Sequence, residues 1–459
     1  MSRLRSGYPA FVWRALEQRR TVVQDALRSR LWPVPALGVV AALIAGVAIP
    51  ELDRLADGSL PPTVEGYLFG GGADAAREIL GTIATSLMTV TSLTFSLTLV
   101  TLQLASSQYT PRLLRTFASD HFVQRTLTLF LATFAYAVTV LRTVRNDSDT
   151  ITRFVPKIAV TVAFVLAVAS IMALVLFLGH LVRQIRIETM LDHIRTDAIE
   201  TGSRLLDPCD DEQHDEAPAV HPTAVPVPAR SSGFLVGIDE EALLDAACAA
   251  DAMIWVDQPV GSAVVSGVPV AFCRTAGSAD DSSTRTLLDR VADSLQTDIE
   301  RTAAQDIGYG LRQIVDVVLR ALSPGVNDPT TAVHGLHACS AMLCAFAHRQ
   351  LIPLVLRDED DAVRVVIARP SLAELLDTVC VPTMLYGGAD PAVVSRVLTL
   401  LREVGWMSKS PEHRAAVAGQ LARVERDIAG RQFDPVESER LAGQANRVRA
   451  ALERRWPTS

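Results

Sequence analysis

Residues 77–115 read REILGTIATSLMTVTSLTFSLTLVTLQLASSQYTPRLLR, and the fold turns on how this stretch is interpreted. Between Ile79 and Ala105 it carries no charge. At 1.5 Å per residue that is roughly 40 Å of helix, enough to cross a bilayer. Hydroxyls set it apart from an ordinary lipid anchor. Thr82, Thr89, Ser96, Gln103 and Thr110 recur at seven-residue intervals. Thr85, Ser92 and Ser106 follow an interleaved register in which Leu99 is the apolar gap. Two such heptad positions form one stripe along one helix face. Ile79, Leu80, Leu87, Met88, Leu93, Phe95, Leu97 and Leu102 occupy the other faces. Hydroxyls and amides are costly in lipid, so the stripe must turn towards protein or water.

Two roles fit such a stripe. Small Ser and Thr residues let membrane helices approach closely and bond across the contact. Alternatively the stripe, repeated around an oligomer axis, lines a water-filled path with Gln103 near its inner end. Neither role requires an enzyme.

A length of 459 residues allows two or three domains. The hydrophobic content of 49% and mean hydropathy of +0.26 are high for a soluble protein. A formal charge of −8 and the absence of basic tracts argue against nucleic acid as a partner. All six cysteines follow the last apolar segment and none forms a C-x-x-C pair, so reduced thiols are expected if that region is cytoplasmic.

Taken in order, residues 1–30 are arginine-rich and amphipathic, the pattern of a helix at a membrane surface. AGVA at 45–48 resembles a signal-cleavage run, but the long polar leader favours an uncleaved anchor. Four membrane spans are expected, at about 31–49 (closed by Pro50), 79–106, 126–141 and 158–182, forming a domain over 31–182. The arginine bias places the N-terminus, the loop with Arg112 and Arg115, and the segment with Arg183 and Arg186 on the cytoplasmic side. That orientation puts the chain in the inner (plasma) membrane of a bacterial cell with both termini on the cytoplasmic side. A helical extension and an acidic, then proline-rich linker occupy 183–232. Glycines and β-branched runs over 233–280 predict a small α+β module with a compact β-sandwich or barrel. A helical domain over 281–410 follows, with a hairpin near 354–367. Charged helices fill 411–459, the last of them a lever or arm. The fold class is thus an α-helical membrane domain followed by a mostly helical cytoplasmic α+β domain.

A second distinctive stretch is DIGYGLRQIVDVVLRALSPGVNDPTT at 306–331. Arg312, Asp316 and Arg320 sit four apart and predict an ion-pair ladder along one helix face. SPGVNDP is a turn, in which Asp328 and Pro329 start a new helix. Capping alone explains that pair. The free N–H groups of the helix start, with Ser323, Asn327 and Thr330 around them, could also receive an anion. Along the next helix, His334, His337, Cys344 and His348 lie near one face and are weak metal-ligand candidates. His334 and His348 are roughly 20 Å apart along a helix, too far to share an ion. No cofactor is expected.

Catalytic signatures are missing. There is no G-x-S-x-G elbow and no H-E-x-x-H, and no acid lies inside the expected spans, which weakens a proton-coupled transporter. The stretches SLTFSLTLVTLQLASSQYTPRLLR and DIGYGLRQIVDVVLRALSPGVNDPTTAV resemble the bacterial membrane family designated domain of unknown function 2254. The two motifs lie far apart and in the expected order, so the resemblance extends over about residues 30–400. It implies an integral inner-membrane protein with an N-terminal membrane part and a cytoplasmic C-terminal part, and it supplies no activity.

The leading expectation is a homo-oligomeric, channel-like protein, with Arg112 and Arg115 at the inner mouth and a cytoplasmic domain for assembly or sensing. A non-conducting scaffold or sensor is the alternative, and a membrane enzyme acting on lipid or envelope precursors comes third. The expected partners are the bilayer, further copies of the chain, and a small ion or anionic ligand.

Overall fold

The computed structural model describes residues 32–56, 68–108, 121–144, 155–184, 186–209, 217–275 and 281–456. The N-terminal segment 1–30, Thr110, Arg112 and Arg115 lie outside these residues. The chain divides into two compact units, Met1–Arg186 and Ile187–Ser459.

The first unit consists of α1 (Pro33–Ala56), α2 (Ala73–Gln108), α3 (His121–Leu141) and α4 (Lys157–Gln184). All four are long and apolar enough to cross a membrane. The shortest, α3, is the hub. It packs against each of the others and buries Phe130, Thr133, Tyr136, Ala137 and Val140. Its contact with α1 is close because α1 carries glycines there: a Cβ built on Gly46 would lie 2.8 Å from Cβ of Thr139, and one on Gly38 would collide with the Thr128 methyl.

Two expectations about α1 are revised. The helix continues through Pro50 to Ala56. Proline forfeits one backbone bond within a helix, a defect that membrane helices absorb through their neighbours. The continuation also carries an acid into the bundle. Asp53 is 8% exposed, and its Oδ2 accepts from the Ala159 N–H at 3.1 Å, capping the start of α4. Tyr136 donates its hydroxyl to the Ala159 carbonyl at 3.1 Å, and Arg77 donates to the Val144 carbonyl at 3.2 Å. One end of the four-helix unit is therefore tied by polar contacts from every helix.

The second unit opens with α5 (Ile187–Leu205), expected as an extension of the fourth span. Met190, Leu191, Ile194 and Ala198 bury one face of it within this unit. The elements β1 (Val225–Pro228), β2 (Gly233–Ile238), α6 (Glu240–Ala249), β3 (Ala252–Val256), β4 (Ala263–Val264) and β5 (Pro269–Thr275) come next. They are followed by α7 (Asp281–Asp293), β6 (Leu295–Asp298), α8 (Tyr309–Ala321), α9 (Pro329–Ala347), β7 (Leu354–Arg357) and β8 (Val363–Ile367). The chain closes with α10 (Leu372–Gly387), α11 (Pro391–Met407), α12 (Pro411–Ala429) and α13 (Pro435–Leu452).

The strands do not form a closed local module. A five-stranded sheet runs β1-β5-β3-β8-β7, and a separate three-stranded sheet runs β4-β2-β6. Ile254 on β3 faces Cys273 on β5 in antiparallel register and Val365 on β8 in parallel register, so the hairpin near 354–367 belongs to the main sheet. A run of β-branched residues such as 363–367 shows that a strand forms, not which strand it joins. Leu235, Leu243, Ile254, Ala271, Val291 and Val365 build the core under α6 and α7. Edge strand β1 reads VPVP, whose prolines blunt further pairing.

Caps make the helical half legible. Asp328–Pro329, Asp390–Pro391, Ser410–Pro411 and Asp434–Pro435 each place a side-chain acceptor before proline at the first helical turn. The last helix is no free arm: α13 buries Leu441, Ala445, Val448 and Ala451, and it packs along α11.

Candidate functional site

Helix α2 has two unlike sides. Ala76, Leu80, Ile83, Ala84, Leu87, Thr94 and Thr101 are buried against the rest of the unit. Thr82, Thr85, Thr89, Ser92, Ser96 and Gln103 are exposed. At 3.6 residues per turn these two sets lie on opposite sides of the helix. Ser106 also falls on the helix, and only its backbone is described. The stripe is flanked by exposed apolar residues, with Met88, Phe95 and Leu99 on one shoulder and Leu93 and Val100 on the other.

Among the described residues the stripe is exposed along its length. Thr89 donates to the Thr85 carbonyl at 3.1 Å, the usual back-bonding of a helical threonine. Among the described residues, the side chains of Thr82, Thr85, Ser92, Ser96 and Gln103 bond to no other group. The outward faces of α1 and α4 differ entirely, since they expose Leu37, Val40, Leu43, Ile44 and Val47, and Phe164, Val165, Val168, Ile171, Met172 and Val175.

The stretch at 306–331 has the opposite character. Asp306 is 2% exposed in its side chain and pairs with Arg301, itself 8% exposed, through Nε at 2.8 Å. Burial pushes the Asp306 carboxyl up, against the pull of Arg301. Asp306 also accepts from the Gly308 N–H at 3.0 Å. Gly261 closes over the pair with φ +92°, and a Cβ there would strike both side chains. Gly310 lets α5 approach, a Cβ at that position falling 2.6 Å from Cβ of Ala198.

Arg312 and Arg320 are exposed on α8, with half-buried Asp316 between them. Asp328 accepts from the Thr331 N–H at 3.1 Å and from its hydroxyl at 2.6 Å. Those bonds hold its carboxyl below the usual carboxylate range. Ser323 donates to the Arg320 carbonyl at 2.7 Å, Asn327 takes the left-handed backbone at φ +50°, and Thr330 is exposed. The helix start is thus occupied by its own cap.

The histidines of α9 do not meet. His334 and His337 are exposed one turn apart, and His348 ends the helix as its C-cap. Burial and nearby Glu403 push the Cys344 thiol up to about 11. Among the described residues, no three His, Cys, Asp or Glu side chains are grouped to hold a metal ion. Ser340 on the same helix hydrogen-bonds Glu403 on α11, which Arg396 grips at 2.8 Å. These polar groups staple helices together.

Sequence reasoning missed Asp53 and Arg301. An acid among the first charges after an apolar run was the available signal for Asp53, though Glu51 shares it; Arg301 offered none, because its partner is set by a loop.

The family model described as "Predicted membrane protein (DUF2254)" matches residues 28–403. The chain belongs to this family. An uncharacterised protein of Mycobacterium bovis and another of Mycobacterium tuberculosis are each 35% identical to it over 439 residues, covering 95% of this chain and 83% of theirs. No solved structure matches. Membership of this family and the four apolar helices make it a membrane protein. Both stretches singled out above, 77–115 and 306–331, fall within the matched range.

Proposed function

We propose that this member of the family is a homo-oligomeric, channel-like membrane protein in which α2 of several copies surrounds a shared axial path. One observation carries the reading: the polar stripe of α2 is exposed, on the side of the helix opposite its buried contacts with the other described helices of its unit. Left against lipid, the unbonded hydroxyls and the Gln103 amide would be costly. Around a common axis they would meet water, and the apolar shoulders at Met88, Phe95, Leu93 and Val100 would pack against neighbouring copies. The protein is then not an enzyme; the polar groups of 306–331 serve packing. The arginine bias supports an inner (plasma) membrane location with both termini cytoplasmic and the second unit as an assembly or sensing domain.

A second reading rests on the bond from Thr89 to Thr85. That back-bonding satisfies a donor within the helix and suits a dry contact between copies, as in a non-conducting scaffold.

Single-channel current from purified protein in a planar bilayer separates the two. Discrete steps whose conductance falls in Ser96→Leu and Gln103→Leu are the expected result. Silence from protein that is folded and oligomeric, with a cysteine at position 96 unreactive to water-soluble thiol reagents, would leave the scaffold.

A further inference from the structure

From Tyr309 onward, five large apolar side chains are exposed among the described residues: Val326, Leu385, Tyr386, Val436 and Trp456. Trp456 packs against Arg402 and Trp406 at one end of this helical half. The other four gather at the opposite end. A Cβ on Gly387, which closes α10, would lie 2.8 Å from Leu322 Cδ1, so Leu385 and Tyr386 stand near the loop that carries Val326. Arg431 donates to the Met384 carbonyl at 3.0 Å, which brings the connection between α12 and α13 to the same place. Helix α13 runs parallel to α11: Gln444 donates to Ser395 Oγ at 2.7 Å, and Leu452 meets Gly405 further on. Val436, in the first turn of α13, therefore lies at the end where α11 starts.

Single exposed apolar residues are ordinary, but a cluster at one end of a domain calls for a cover. The chain indicates which. Gly335 meets Val318, so α9 runs antiparallel to α8. Gly202 meets Phe346 near the end of α9, while Ala198 and Ile194 meet Gly310 near the start of α8, so α5 is antiparallel to both. The start of α5 at Ile187 is thus level with the end of α8 at Ala321 and the start of α9 at Pro329, the end that carries the four apolar side chains. Ile187 is the third residue after Gln184, which ends α4. Three residue steps span at most about 11 Å. A leash that short joins the apolar end to a helix long and apolar enough to cross a membrane. The Trp456 end is farther off by the length of α9, roughly 28 Å.

We propose that Val326, Leu385, Tyr386 and Val436 dock this end of the second unit on the lipid surface of the membrane, with their side chains entering the headgroup boundary. Leucine and valine gain by leaving water there, and tyrosine is enriched in that layer. Four side chains fall short of the roughly 20–30 residues a side that a stable protein interface takes, which favours lipid over a second copy. Charge does not drive the contact, because Asp328, Asp390 and Asp434 cap helices at this end and Arg320 and Arg431 stand among them. Zwitterionic lipid therefore suffices. The contact is independent of the stripe on α2, and a silent bilayer would leave it standing.

The test uses the full-length protein in phosphatidylcholine liposomes. Photoreactive benzoylphenylalanine replaces Leu385, Val436 or, at the opposite end, Lys409, one position at a time. After irradiation the covalent adducts are identified by mass spectrometry. Lipid adducts at 385 and 436, and few at 409, are the expected result. With the probe at 436, Leu385→Gln together with Tyr386→Gln should lower the lipid-adduct yield about tenfold or more. Both side chains are exposed and neither bonds to another group among the described residues, so the double variant keeps its fold, which circular dichroism checks. Adducts at 385 and 436 to a second copy of the chain, or to nothing, overturn the proposal. Equal lipid yields at all three positions, or an unchanged yield in the double variant, overturn it as well.

Discussion

The two stretches by which the family is recognised treat their polar residues in opposite ways. Along α2, six polar side chains from Thr82 to Gln103 are exposed, and among the described residues only Thr89 bonds, back to the Thr85 carbonyl of its own helix. From Asp306 to Thr331, several polar and small residues serve contacts within the second unit. Asp306 grips Arg301, Gly308 donates to Asp306, Gly310 admits α5, and Asp328 caps α9. A distinctive motif can therefore be a packing device or an outward-facing surface, and sequence alone does not say which. The difference also sets where mutations should be felt: inside the chain for the second stretch, between chains for the first.

The largest effect should come from the buried ion pair. Asp306→Asn leaves the Arg301 guanidinium charged and without its carboxylate, which costs about 3–5 kcal/mol when one partner of a buried pair is removed. Unfolding of the second unit, followed by circular dichroism in detergent, should shift accordingly. The double variant Arg301→Met with Asp306→Leu should recover most of the loss, because no charge remains to be desolvated. A mild Asp306→Asn would mean that the motif is not held by packing, and the contrast would collapse.

Next in size is a comparison across the membrane unit itself. Arginine in place of Ile171, on the apolar outer face of α4, should cost about 3 kcal/mol of insertion. Arginine in place of Ser96 should cost much less if the stripe meets water. The measured quantity is the fraction of full-length protein recovered folded from the membrane, and equal losses at the two sites would place lipid against both. Smaller again, Gly310→Val should cost about 2 kcal/mol by forcing α5 off α8. Ser92→Val on α2 should leave the stability of the single chain unchanged, since its side chain is exposed and bonds to no described group.

Much of this architecture was written in local patterns. Four charge-poor runs gave four membrane helices, and the pairs Asp390–Pro391, Ser410–Pro411 and Asp434–Pro435 mark helix starts that could be placed to the residue. The heptad hydroxyls fixed which residues share a face of α2, although which side of the bundle that face meets depends on the contact of α2 with α3 and was not legible. What failed was pairing at a distance. Nothing local tells β3 to take β8, more than a hundred residues later, as its parallel neighbour, or Asp53 to cap α4. Pro50 misled because the rule that proline ends a helix weakens where surrounding helices can satisfy the freed carbonyl. The weak metal candidates meet a related limit: spacing along one helix sets a face, whereas ligation needs groups from several elements.

The smallest expected loss tests whether Asp328 serves the helix or a ligand. Its carboxylate accepts from both the hydroxyl and the N–H of Thr331, and Asp328→Ala should remove about 1 kcal/mol of stability as a lost N-cap. The pH dependence distinguishes this from an empty binding loop. The folded carboxyl sits below its unfolded value of about 3.9, so the unfolded chain binds the proton more readily. The contribution of the cap is then complete above that value and disappears as pH falls through the lowered folded value. Wild type and Asp328→Ala should differ in melting temperature at pH 7 and converge near pH 2. A gap that persists in acid would assign the loss to packing of the loop rather than to the carboxylate. No gap at either pH would free Asp328 for a ligand, and the second stretch would then resemble the first in facing outward.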